Sequence, residues 1–157
     1  MHILGIDPGL QRCGYAVISS EKRILDAGII ATAPRASLPE RLHEIEQGLD
    51  QLFKSHKISR VAVEDLYAHY KHPRTAILMG HDRGVVLLAG ARRGVPVEGI
   101  GATQIKKALT GNGHAGKRQV QRAIMLTVGL TRLPDPPDVA DAIAVGLAAA
   151  LDTGSDC

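Results

Sequence analysis

The sequence predicts an α/β sandwich, a mixed five-stranded sheet flanked by helices, and three observations carry that prediction. Up to Ile30 the chain holds only short apolar runs separated by turn signals, the pattern of antiparallel strands. At Ser37 the apolar spacing changes to every third or fourth residue, and from there helical stretches alternate with short apolar runs. Such alternation implies strands reached through helical crossovers. The length of 157 residues is that of one domain, residues 1–157, whose core buries roughly 70% of the surface an unfolded chain exposes.

In chain order, residues 3–6 form a short apolar strand that ends in Asp7-Pro8-Gly9, a turn in which Pro fixes φ and Gly permits positive φ. Residues 14–18 and 24–30 are the next two strands, joined by the polar run from Ser19 to Arg23. Ser37 followed by Glu40 is a capping box, and Leu38, Leu42, Ile45, Leu49, Leu52 and Phe53 mark an amphipathic helix behind it. Val61-Ala62-Val63 is a buried strand ending at Glu64. Pro73 opens a long helix to about Arg93 with Gly94 as its stop. After a strand over 95–100, Thr103 is expected to cap a short helix, and Gly111-Asn112-Gly113-His114-Ala115-Gly116 is a mobile or tightly turned loop. A helix over 117–128 follows, and Pro134-Asp135-Pro136-Pro137 breaks the chain before an Ala-rich last helix, 138–151, that is apolar on most sides and hence packed.

Composition narrows the classes. With 45% hydrophobic and 22% charged residues the chain is a packed globule and not a disordered one, and one Phe with no Trp makes its core aliphatic. The net charge of +3 is compatible with a polyanionic partner without requiring one. No apolar run approaches the ~18 residues of a membrane span, and Met1 runs straight into a strand, so a soluble, unexported, cytoplasmic protein is expected. Cys13 in a strand and Cys157 at the end do not make a disulfide framework.

The chemistry concentrates at the ends of core elements. Asp7 ends the first strand, Glu64 the fourth, and Asp138 and Asp141 share one face of the last helix. If the first and fourth strands are neighbours, Asp7 and Glu64 stand side by side beyond the carboxyl ends of the sheet, where ligands of open α/β sheets gather. Asp65 competes with Glu64; adjacent strand residues face opposite ways, and spacing alone does not choose between them. Four converging carboxylates with no Lys or Arg inside their motifs call for a hard divalent cation, Mg²⁺ or Mn²⁺. A pair of such ions about 3.5 to 4 Å apart is suited to phosphodiester hydrolysis.

Taken together, Ile6-Asp7-Pro8-Gly9-Leu10 with Gly14-Tyr15, Val63-Glu64, Pro73-Arg74 with Arg83-Gly84, the Gly111–Ala115 loop with Lys117 and Gln119-Val120-Gln121, and Asp138-Val139-Ala140-Asp141-Ala142 resemble the RuvC family. These are bacterial Holliday junction resolvases with an RNase H-like fold, and the match spans nearly the whole chain in order and spacing. The resemblance implies a homodimer that nicks two strands of a four-way DNA junction symmetrically, leaves 5′ phosphates, and works with the RuvA and RuvB branch-migration proteins. It implies that Asp7, Glu64, Asp138 and Asp141 hold two metal ions per active site, which selects Glu64 over Asp65.

By the same resemblance Lys106 and Lys117 hold the phosphates that flank the cut, with Arg74, Lys107, Arg118 and Arg122 as further phosphate contacts. Tyr67, where relatives often carry Phe, is expected to stack on opened bases. Ala76, Gly80 and Gly84 form a flat ridge on the long helix, which the resemblance places at the dimer axis. Cys13 stands where the family commonly has Thr, and His81-Asp82 where it usually has Gln-Ala; these departures are expected to bear on sequence preference and dimer detail and not on the acidic site. His114 is expected to be exposed. Two alternatives stand beside the nuclease: an actin-like or RNase H-like ATPase, and a junction-binding protein without catalysis.

Overall fold

In the computed structural model, which describes residues 1–66 and 72–152, the order of elements is the one the patterning predicts. Strands β1 (His2–Asp7), β2 (Arg12–Ser19) and β3 (Ile24–Ala31) form an antiparallel meander. Helix α1 (Leu38–Ser55) crosses over to β4 (Ile58–Glu64), and α2 (Pro73–Arg92) to β5 (Val97–Ile100); both strands run parallel to β1. The five strands lie in the order β3-β2-β1-β4-β5, so the first strand is central. Three helices complete the chain: α3 (Ala102–Thr110), α4 (Lys117–Val128) and α5 (Pro137–Asp152).

Because the sheet is covered on both faces, its inner strands are apolar almost without interruption. On one face Ile3, Ala16, Ile18 and Ala62 pack under α3, α4 and α5. On the other, Leu4, Ile6, Val17, Val61 and Val63 pack under α1 and α2. The core is aliphatic, as the scarcity of aromatic residues requires. Helix α5 is the most deeply set element: from Val139 to Ala150 every residue except Asp141 is buried. Its small side chains let it approach the sheet closely. A Cβ on Gly5 of β1 would lie 2.5 Å from the backbone nitrogen of Gly146 on α5, so neither residue has room for a side chain.

Local signals hold with one exception. Ser37 caps α1, accepting from the Glu40 N–H at 3.4 Å while Glu40 accepts the Ser37 N–H at 2.8 Å. Ser37→Ala should therefore lower stability by ~1 kcal/mol, read as a shift in the urea midpoint at unchanged slope; an unmoved midpoint would show the box to be idle. Pro73 is the first residue of α2, and Gly94 follows it at φ 65. Thr103 does not cap α3. The cap is Gly101, whose backbone is already extended (φ −72, ψ 151), so the helix begins at Ala102 directly after β5 and no side-chain cap is made. Thr103 instead packs its methyl against Gly113.

Candidate active site

Strand register decides which acids meet. β1 and β4 pair in parallel with Ile6 beside Val63, so Asp7 and Glu64 emerge next to each other at the carboxyl end of the sheet. Side chains alternate across a strand. Ile3 and Gly5 face α5, as does Ala62 of β4, which puts Asp7 and Glu64 on that same face. Asp65 turns the other way and accepts a charged hydrogen bond from Arg83 of α2 at 3.0 Å. The first turn of α5 lies over the pair for a specific reason: Gly14, paired with Asp7 across the β1–β2 ladder, has no Cβ, and one placed there would strike the Asp138 carbonyl. Asp138 and Asp141, three apart, thus reach over the sheet edge from a helix that is otherwise buried.

The electrostatics record the crowding. The Asp7 carboxyl is pushed up to about 8, first by burial and then by the charges of Glu64, Asp141 and Asp138. Glu64 is raised by burial and by Asp141, and drawn back by its hydrogen bond with Asp7 and by Lys106. The two carboxyls titrate as a coupled pair, both raised. Asp141 is raised by burial and by Asp138, against the pull of Lys117. Among the described residues no three acidic, His or Cys side chains close into a metal cage. The arrangement is an open one, a crowded carboxyl pair with two further acids acting on it through space. Its donors are all hard oxygens, and the crowding of negative charge that raises these carboxyls is what a divalent cation would relieve; on that ground these residues fit such an ion.

Beside the acids a cleft of about 320 Å³ opens between α3, α4 and α5, with Glu64, Lys106, Lys117 and Asp141 in its wall. Lys106 projects from α3, and Lys117 is the first residue of α4. The glycine loop sets their spacing and is tightly turned. Gly111 ends α3 in the left-handed conformation at φ 79, the Asn112 side chain accepts the His114 N–H at 2.9 Å, and Gln119 accepts the Gly116 N–H at 2.8 Å. His114 is exposed, as expected. The other basic residues lie elsewhere. Arg118 and Arg122 line a separate groove with Leu126, Lys107 is on the exposed side of α3, and Arg74 is in the exposed first turn of α2. Tyr67 lies outside the described residues.

Along α2, a Cβ on Gly84 would meet nothing within 4 Å and one on Gly80 only the tip of Leu66, while Ala76 is half-buried. Ile77 and Leu88 on this side are 63% and 55% exposed. The opposite side of α2 holds a residue whose importance sequence reasoning missed. Asp82 is 0% exposed, and its Oδ2 accepts the Gly9 N–H at 2.5 Å. The signal was present: Asp82 precedes Val86, Ala89 and Gly90 on the buried stripe of α2, an odd place for an acid.

The family model described as crossover junction endodeoxyribonuclease RuvC matches residues 3–149. The crossover junction endodeoxyribonuclease RuvC of Rhodopirellula baltica is 52% identical over 148 residues, covering 92% of this chain and 83% of that protein. The structure of Thermus thermophilus RuvC in complex with a Holliday junction substrate superposes with a TM-score of 0.91 at 32% identity, covering 98% of this chain and 94% of that one. The yeast mitochondrial Holliday junction resolvase Ydc2 shares the fold, with a TM-score of 0.64 at 14% identity over 96% of this chain and 80% of its own.

Proposed function

This chain belongs to the RuvC family of crossover junction endodeoxyribonucleases, and on that premise we propose that Asp7, Glu64, Asp138 and Asp141 are its metal ligands and Lys106 and Lys117 its phosphate contacts. The enzyme is a metal-dependent nuclease for four-way DNA junctions with an RNase H-like fold, which answers the ATPase and the non-catalytic binder weighed on sequence. The observation that carries the site assignment is the convergence of Asp7 and Glu64 at the end of the sheet beneath the helix turn that bears Asp138 and Asp141, where burial first and then the other acids push the Asp7 carboxyl up to about 8. No fold needs such a group for stability. It is costly until a cation arrives, and that cost is what makes the cleft selective for one.

Two Mg²⁺ or Mn²⁺ ions bound by these acids would supply Lewis acidity at the scissile phosphate and a water of lowered pKa. The chain's own part is positional. Asp7 and Glu64, side by side at the end of the sheet, would hold the cation from the strand side, and its positive charge would offset the crowding that raises both carboxyls. Asp138 and Asp141 hold the helix side of the site, fixed because α5 cannot shift on the sheet. Lys106 and Lys117 neutralise the phosphates on either side of the cut and set the strand in line. Nicks with 5′ phosphates follow from departure of the 3′ oxygen.

A single domain carries the activity. The open ridge of Gly80 and Gly84, with Ile77 and Leu88 beside it, supports a homodimer through α2, which would give two identical sites to a junction of matching symmetry. Arg74, Lys107 and Arg118 serve as outlying phosphate contacts, Tyr67 stacks on opened bases, and RuvA and RuvB are the working partners. No helix among the described residues is long and apolar enough to cross a membrane, and the cytoplasm is the proposed site of action.

The test is incubation with a synthetic four-way junction and Mg²⁺ or Mn²⁺, with nick mapping. Paired symmetrical nicks bearing 5′ phosphates are expected, abolished by EDTA and absent on linear duplex. Equal cutting of the duplex would overturn the reading. Lys106→Ala and Lys117→Ala should each weaken junction binding and lower the slope of log K against log salt by about 1.

A further inference from the structure

We propose that Asp82 is a positioning residue for the nuclease: its carboxylate ties α2 to the turn that follows β1 and thereby fixes the direction in which Asp7 leaves the sheet. The inference rests on the reading of Asp7 as a metal ligand. A carboxylate sealed from water costs several kcal/mol unless bonded, and Asp82 is surrounded by the aliphatic side chains under α1 and α2. Its one conventional hydrogen bond among the described residues is to Gly9, at 2.5 Å; Oδ1 accepts none. A group so expensive and so sparsely satisfied is poor material for stability, and its single bond is aimed two residues beyond Asp7.

That bond belongs to a clamp. The carbonyl of the next residue, Leu10, accepts from Thr32 Oγ1 at 2.5 Å and from Arg41 of α1 at 3.4 Å. Gly9 itself is packed so closely that a Cβ would strike the Arg12 carbonyl. Side chains from α1, from Thr32 just after β3 and from α2 therefore grip the Asp7-Pro8-Gly9-Leu10 turn, and among them Asp82 holds the Pro8–Gly9 peptide, nearer to Asp7 than the Leu10 carbonyl that the others hold. The Cys13 thiol of β2 lies against Asp82 and interacts with it. Cys13 and Asp82, both 0% exposed, thus lie together in the interior beneath the acidic turn.

The test compares Asp82→Ala with Asp82→Asn in the full chain, with Asp7→Asn as reference. Outer-shell partners of metal ligands typically contribute 10–100-fold. Asp82→Ala should raise the Mn²⁺ concentration for half-saturation by roughly tenfold or more in calorimetry without DNA, and slow junction cleavage comparably, while junction binding in EDTA is unchanged. Asp82→Asn keeps an oxygen for the Gly9 N–H and should restore most of both. Unchanged Mn²⁺ binding in Asp82→Ala, or an Asn variant as poor as the Ala variant, would overturn the inference. If Asp82→Ala does not fold, the parent chain still decides: a short bond to a carboxylate moves the Gly9 amide proton well downfield in its NMR spectrum, and an ordinary shift refutes the bond. Active Asp7→Asn would instead sink the site assignment on which the inference stands.

Discussion

Asp7→Asn yields a protein that binds four-way junctions, does not cut them, and in the absence of metal is more stable than its parent. The first two outcomes follow from removing one oxygen of the proposed ligand set and the charge it brings: cleavage should fall by at least roughly a thousandfold, about 4 kcal/mol of transition-state stabilisation. The third follows from linkage. Asp7 ionises at about 8 in the fold against an ordinary value of 3.8. Between those values the folded protein holds a proton that the unfolded chain has released, so the contribution of Asp7 to stability is greatest below pH 4, falls as pH rises through that window, and levels above 8. Asn carries no charge at any pH, so its advantage over Asp should be absent at pH 4 and reach on the order of 1–3 kcal/mol at pH 8, shared as it is across a coupled pair. Thermal unfolding at both pH values checks this. A loss of stability at pH 8 would mean that the acids are not crowded in solution. Divalent cation should raise the parent's melting temperature, more so at pH 8 than at pH 5, and leave the Asn variant nearly unmoved.

Gly14→Ala should do nearly as much damage from a residue that carries no chemistry. The added Cβ would lie against the carbonyl oxygen of Asp138 and 2.8 Å from its carbonyl carbon. Both are backbone atoms that no rotamer change can clear. Either β2 is pushed down, away from its pairing with Asp7, or the first turn of α5 lifts and takes Asp138 and Asp141 with it. The overpacking costs ~1–3 kcal/mol of stability, and displacement of two proposed ligands by even 1 Å should cost roughly a hundredfold in cleavage. Circular dichroism should show a folded protein while junction cutting and Mn²⁺ affinity both fall. Full activity would mean that α5 has slack at its start, contrary to its burial from Val139 to Ala150.

Both variants separate what could be read along the chain from what could not. The elements were legible because each is written in local terms: alternation in the strands, three-to-four spacing from Leu38 onward, Ser37 with Glu40, Pro73 and Gly94 as boundaries. The acids were legible as candidates because each ends or begins an element, and the family resemblance selected among them. Thr103 misled because a hydroxyl residue near a helix start looks like a cap, whereas the strand before it delivers Gly101 already extended.

The sequence by itself determined the order of elements, the aliphatic core and which acids end or begin those elements, since propensity and periodicity act over a few neighbours. Only the tertiary structure decided that Glu64 and not Asp65 faces Asp7, that Lys106 and Lys117 border the same cleft, that Gly14 makes room for Asp138, and that Asp82 reaches Gly9 across 73 positions of chain. Those relations depend on register between strands and on the distance at which a helix settles on a sheet. Both are set by packing among residues far apart in sequence, where no local pattern can record them.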